Sequence, residues 1–231
     1  MAEQQQSPAA VRITAMASGN GSNFQAVLDA VADGGIPDAQ VVRLFVNRKK
    51  AYALERAAAA GVPSTYYNLI GAGFQKAGDR DPESVARARA AYDAALAALV
   101  LEDRPDLVLL AGWMHVFSEA FLRPLADAGV KCINLHPALP GRYDGAGAIE
   151  RAFEDFQQGK LEGGKTGIMI HYVIAEVDRG EPITVREIEC REGEALAQLE
   201  ERIHAAEHEL IVSATAQVVG EIAASKQTRK E

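Results

Sequence analysis

Asn134-Leu135-His136-Pro137 sets an amide and an imidazole two residues apart at the end of a short apolar run, VKCINLH (130–136). In an extended strand alternate side chains share a face, so Asn134 and His136 point one way and Leu135 the other. Such a pair suits acyl transfer. A carboxamide N–H can donate to a developing oxyanion, and a group with an ordinary pKa near 6.5 can carry the proton that a nucleophile loses. The same residues also fit a capping Asn and a structural His. Asp178 lies in the polar turn Ala175-Glu176-Val177-Asp178-Arg179-Gly180-Glu181. From there a carboxylate can reach the same crevice, orient His136 and favour its imidazolium, although an Asp in such a turn is often only a turn residue.

A second candidate is Ser18-Gly19-Asn20-Gly21-Ser22-Asn23, which leaves an apolar run and opens an amphipathic one. Small residues permit close backbone approach, and a helix N-terminus offers unpaired N–H groups, so the loop suits a phosphate. An ordinary tight turn with Asn as helix cap fits as well. It is a poor dinucleotide fingerprint: the third glycine is missing, and the next strand ends in Asn47-Arg48 where a ribose-binding acid is needed.

Two motif matches fail in context. GKLEGGKT (159–166) has the spacing of a phosphate loop, but a helix precedes it and a strand follows, the reverse of the working order. HAAEH (204–208) puts His204 and His208 one helical turn apart, yet zinc needs a third protein ligand, so hydrogen-bonding or substrate roles fit better. No G-x-S-x-G is present. His115, His171, Trp113 and Phe117 could line a pocket, though such residues near strands are more often core.

The elements that must position these groups alternate. Strands are expected at 11–18, 41–47, 106–114, 130–136, 166–174 and 182–190, and helices at 52–61, 83–102, near 118–127, at 149–159 and at 193–222, with another following the first loop. Arg87, Arg89 and Asp93 are expected to face solvent from the Ala-rich third helix. Strands separated by helices imply right-handed crossovers and a mostly parallel sheet covered on both faces, to which the closing strand pair could add an antiparallel member.

Composition bounds the rest. The chain has 231 residues, 48% hydrophobic and 24% charged, with a net charge of -8, which suits one large domain or two small ones with an ample core and argues against a broad nucleic-acid surface; the unbroken alternation of elements, with no linker or repeat, favours one. Two cysteines in apolar stretches read as free thiols. No apolar stretch is long enough to span a bilayer, and MAEQQQSPAA lacks a signal-peptide pattern, so a cytoplasmic protein is expected. Residues 1–10 and 224–231 read as polar tails around a domain at 11–223.

Six segments, in order, carry a family likeness: SGNGSNFQAVLDA (18–30), FVNRKKAYALERAAAAGVP (45–63), LLAGWM (109–114), INLHPALPG (133–141), HYVIAEVDRGEPI (171–183) and RIHAAEHELI (202–211). Over about 11–220 the chain resembles the phosphoribosylglycinamide formyltransferases of purine synthesis, especially their single-function fungal form. The resemblance implies a single three-layer α/β/α formyltransferase domain with a mostly parallel, Rossmann-like sheet of seven strands. It implies direct formyl transfer from 10-formyltetrahydrofolate, the co-substrate, to the amine of 5'-phosphoribosylglycinamide, with no metal and no covalent enzyme intermediate. By motif position Asn134, His136 and Asp178 form the catalytic trio. Gly21, Ser22 and Asn23 fall on the ribonucleotide phosphate loop, and Arg202 and Glu207 match the final-helix region that contacts the same substrate. Arg89, before Ala90-Ala91-Tyr92-Asp93, matches a folate-contacting arginine. Met114, His115, Val116 and Phe117, with Ala175, Glu176 and Val177, match the segments that enclose the pterin. His115 stands where bacterial members commonly have arginine, and Gly147-Ala148-Ile149 replaces their H-x-H. The implied partners are small molecules, without nucleic acid or membrane, for a monomer or homodimer. The nearest relatives in chemistry, a formyltetrahydrofolate hydrolase and a methionyl-tRNA formyltransferase, usually carry an additional domain for which this length leaves no room. A non-catalytic nucleotide-binding module and a nicotinamide oxidoreductase are the competing readings from other classes.

Overall fold

Apolar runs punctuated by glycine and proline become seven strands and six helices in a computed structural model that describes residues 10–228. In chain order these are β1 (Val11–Ala17), α1 (Ser22–Ala32), β2 (Ala39–Val46), α2 (Ala53–Ala59), β3 (Ser64–Tyr66), α3 (Pro82–Glu102), β4 (Leu107–Leu110), α4 (Glu119–Asp127), β5 (Lys131–His136), α5 (Ala148–Gln157), β6 (Lys165–Tyr172), β7 (Pro182–Glu189) and α6 (Leu196–Thr228). The single sheet has the order β3-β2-β1-β4-β5-β6-β7. β1 to β5 are parallel, while β6 runs antiparallel to β5 and β7 antiparallel to β6.

Strand alternation builds two cores. Ile13, Ala15 and Ala17 of β1 face a layer formed by α1, α2, α5 and α6, whereas Met16 faces α3 and α4 on the other side. The expected α/β/α sandwich is therefore observed. The order reverses between β1 and β4, and the crevice beyond the carboxyl ends of parallel strands at such a switch is where ligands sit in this architecture.

Several boundaries differ from expectation. β3 has three residues, too few to show any period, so it is visible only through its pairing with β2. β4 stops at Leu110 because the chain turns off the sheet: Gly112 adopts φ 80°, its carbonyl accepts from Ser18 N–H, and Ser18 Oγ accepts from Met114 N–H. The apolar residues after Leu110 thus become a wall beside the sheet. α6 continues to Thr228, so residues 224–228 are helix and not tail, while 1–9 and 229–231 lie outside the described residues.

Asp93 corrects the reading of α3. It is fully buried, and its carboxylate accepts from the backbone N–H and hydroxyl of Ser118 at 2.7 Å each and meets His115 Nε2 at 2.6 Å. One carboxylate thereby ties α3 to the start of α4 and to the wall after β4. Asp93→Ala leaves those donors buried without an acceptor and should lower the unfolding free energy in urea by about 3 kcal/mol. A loss below about 1 kcal/mol would show that the tie contributes little.

Candidate active site

β5 ends with Asn134 and His136 at the mouth of a cavity of about 250 Å³. The wall after β4, the segment before α5 and the turn between β6 and β7 close its other sides. Asp178 completes the expected trio. Its Oδ2 lies 3.3 Å from His136 Nδ1 and accepts the Gly145 N–H at 2.8 Å, while its Oδ1 lies 3.4 Å from Asn134 Nδ2. His136 is 3% exposed, and its Nε2 lies 3.2 Å from the Arg142 carbonyl. Both of its neighbours are acceptors, so a proton on either ring nitrogen finds a partner.

The turn that delivers Asp178 is built from unusual backbone. Asp178 itself adopts φ 55°, a left-handed conformation that Asp tolerates better than most residues. Gly180 packs so closely on β6 that a Cβ there would fall 1.6 Å from the Tyr172 carbonyl oxygen. Only glycine fits that approach.

His171 is the member that motif reading left among the pocket-lining possibilities. It is buried, its Nε2 lies 3.2 Å from Asn134 Nδ2 and 3.5 Å from Asp178 Oδ1, and its Nδ1 lies 2.9 Å from the Tyr172 carbonyl. Alternation in β6 alone could not distinguish it from a core histidine. Burial pushes the Asp178 carboxyl up, but the hydrogen bonds from His171 and Gly145 and the charges of His136 and His171 bring it below the usual carboxylate range.

The first loop lies at the end of β1, two strand positions from β5. Gly21 takes φ 75° at the N-cap of α1, with no side-chain cap, so Asn does not cap this helix. A Cβ at Gly21 would also fall 2.6 Å from the Ala53 Cβ, so glycine is required both by conformation and by the packing of α2. Arg56 fastens the loop to α2 by donating to the Asn20 carbonyl and to Asn20 Oδ1, both at 2.9 Å. Asn23 donates to Glu207 Oε2 at 3.0 Å. Burial pushes Glu207 above the usual carboxylate range, outweighing the Asn23 hydrogen bond and the nearby His204.

Some expected residues are placed differently. Arg202 is paired with Glu194 at 2.7 Å and donates to the Glu189 carbonyl at the end of β7. Five residues of helix turn it about 140° from Glu207, so it is not brought to the first loop; His204, three residues from Glu207, shares that side instead. Of the pterin segments, Met114, Val116, Phe117, Ala175 and Val177 line the cavity. His115 also borders it, but its Nε2 is held by Asp93 and its ring stands edge-on to Tyr92 and Phe117. Glu176 lines a separate groove beside α4. Arg89 lies outside the cavity lining and donates to the Val116 carbonyl at 3.3 Å. Gly159 ends a helical segment and β6 follows, so GKLEGGKT is a connection, and among the described residues no group of three or more His, Cys, Asp or Glu is placed to hold a metal ion.

Residues 11–215 match the family model described as formyl transferase. The chain belongs to that family. It is similar to phosphoribosylglycinamide formyltransferase of Schizosaccharomyces pombe, 45% identical over 208 residues that cover 90% of this chain and 96% of that protein. With the Saccharomyces cerevisiae enzyme of the same name it shares 42% identity over 216 residues, covering 91% and 98%. Among solved structures, glycinamide ribonucleotide transformylase 1 of Symbiobacterium toebii matches with a TM-score of 0.75 at 30% identity, over 93% of this chain and 90% of that one. The family likeness read from the motifs is thus confirmed, and with it formyl transfer as the class of activity.

The Asp178 shift has a measurable consequence. Its folded value is depressed, so its contribution to stability is complete above an unfolded value of about 3.9 and is lost as the pH falls through the folded value. A carbon NMR titration of the Asp178 side chain should give a midpoint below about 3.9. A higher midpoint would contradict the hydrogen-bonding described.

Proposed function

We propose that the protein transfers the formyl group of 10-formyltetrahydrofolate to the amine of 5'-phosphoribosylglycinamide. The observation that carries this reading is the convergence of Asn134, His136 and Asp178 on one cavity beside a backbone loop suited to phosphate, in a chain 45% identical to an enzyme of that name. β1 and β5 are two positions apart in the sheet, which separates the loop from the trio by about 10 Å. That span suits a molecule with a phosphate at one end and a reacting amine at the other.

In this reading the open N–H groups of Ser22 and Asn23 hold the phosphate, and Glu207, fixed by Asn23, faces the ribose. The exposed apolar side chains of Met114, Val116 and Val177 provide a face for the pterin, with Arg89 beside Val116 available to an anionic tail. The amine nitrogen bonds to the formyl carbon, and the bond from that carbon to the folate nitrogen breaks. Asn134 donates to the oxygen that becomes negative between those events. His136 takes the proton released by the amine and returns it to the leaving nitrogen, while Asp178 orients the ring and stabilises its charged form.

Purified protein mixed with both substrates should form tetrahydrofolate only when the ribonucleotide amine is present. Product without the amine would indicate a hydrolase instead, and no amine-dependent product would refute the reading. Asn134→Ala should lower turnover by roughly 10²–10³. A variant with wild-type turnover would remove Asn134 from oxyanion stabilisation.

A further inference from the structure

Asn134 and His171 are directly opposed in the antiparallel pairing of β5 with β6, so their side chains are forced onto one face of the sheet as neighbours. The protons in this small network can be assigned from its partners. Tyr172 offers His171 Nδ1 a carbonyl 2.9 Å away, and a carbonyl only accepts, so Nδ1 carries a proton. The state of Nε2 decides everything else.

Without a proton, Nε2 accepts from Asn134 Nδ2 at 3.2 Å, and the second amide hydrogen goes to Asp178 Oδ1 at 3.4 Å. Both hydrogens are then consumed inside the network, and the carboxamide oxygen is the end left for the cavity. That end repels an oxyanion. With a proton, Nε2 donates to the amide oxygen of a turned Asn134, and the N–H₂ end is released to the substrate. The resulting charge is met by Asp178 Oδ1 at 3.5 Å, whose other oxygen faces His136. The ionisable groups facing His171 are therefore Asp178 on the β6–β7 turn and, across it, His136 on β5.

We propose that His171 is the positioning residue for Asn134: a proton on its Nε2 turns the amide so that an N–H faces the reacting formyl oxygen. The proposal rests on the reading of Asn134 as oxyanion donor. It makes the β5–β6 register part of the catalytic design and gives Asp178 two imidazoles to hold.

A double-mutant cycle tests it. His171→Phe keeps the ring volume and removes the donor; it should lower kcat roughly 10–100-fold with KM for both substrates within about twofold. In an Asn134→Ala background the same change should cost less than about threefold further, because no amide is left to position. Losses that multiply, or a wild-type kcat in His171→Phe, overturn the proposal, whereas a wild-type rate in Asn134→Ala alone overturns the reading beneath it. Nitrogen NMR of the histidine-labelled wild-type protein needs no variant to fold. Bound to phosphoribosylglycinamide and a folate lacking the formyl group, His171 should carry a proton on both nitrogens, and a bare Nε2 would overturn the proposal.

Discussion

Asp178 divides two oxygens among partners that lie far apart in sequence: His136 and Asn134 from β5, His171 from β6, and the backbone of Gly145 before α5. A carboxylate removed from water needs such partners, because its desolvation is offset only by charge and hydrogen bonds directed at it. The geometry of the cavity follows from meeting that need. The left-handed backbone at Asp178 and the contact of Gly180 with β6 are the local costs of bringing the carboxylate over the sheet. The antiparallel return of β6 supplies a second imidazole that a further parallel strand would not have set opposite Asn134.

The proposed function asks a chain with a net charge of -8 to serve anionic ligands. In that reading attraction is local. At the first loop the proposal draws on the backbone N–H groups at the start of α1, with Arg56 bound to Asn20 nearby, and Glu207 beside them is pushed by burial toward its neutral form. Arg202, the cation that motif position nominated, is neutralised by Glu194 and the end of β7. A helix sends residues five apart to different sides, so Arg202 and Glu207 do not share one face of α6.

Most of the architecture was legible in sequence. The strand, loop and helix alternation, the reversed context of GKLEGGKT and the shared face of Asn134 and His136 all depend on neighbours within a few positions. The three-residue β3, the early end of β4 and the burial of Asp93 were not legible. Each depends on a partner remote in sequence: β2 for the strand, Ser18 for the departure of the chain after Leu110, and Ser118 with His115 for the carboxylate. Asp93 shows the limit clearly, since a charged residue in an Ala-rich helix resembles any solvated one until its acceptors are seen to be filled.

By itself the sequence determined the periodicities, the two candidate loops, the residue types capable of acyl transfer and, through ordered motifs, the family. Those are properties of spacing along one chain. Only the tertiary structure decided that His171 stands opposite Asn134, that Asp178 reaches both imidazoles, that His115 turns to Asp93 and that Arg202 turns away from the first loop. Strand register and the sharing of hydrogen bonds are set by contacts across tens of residues, where local pattern carries no information about which donor an acceptor will meet.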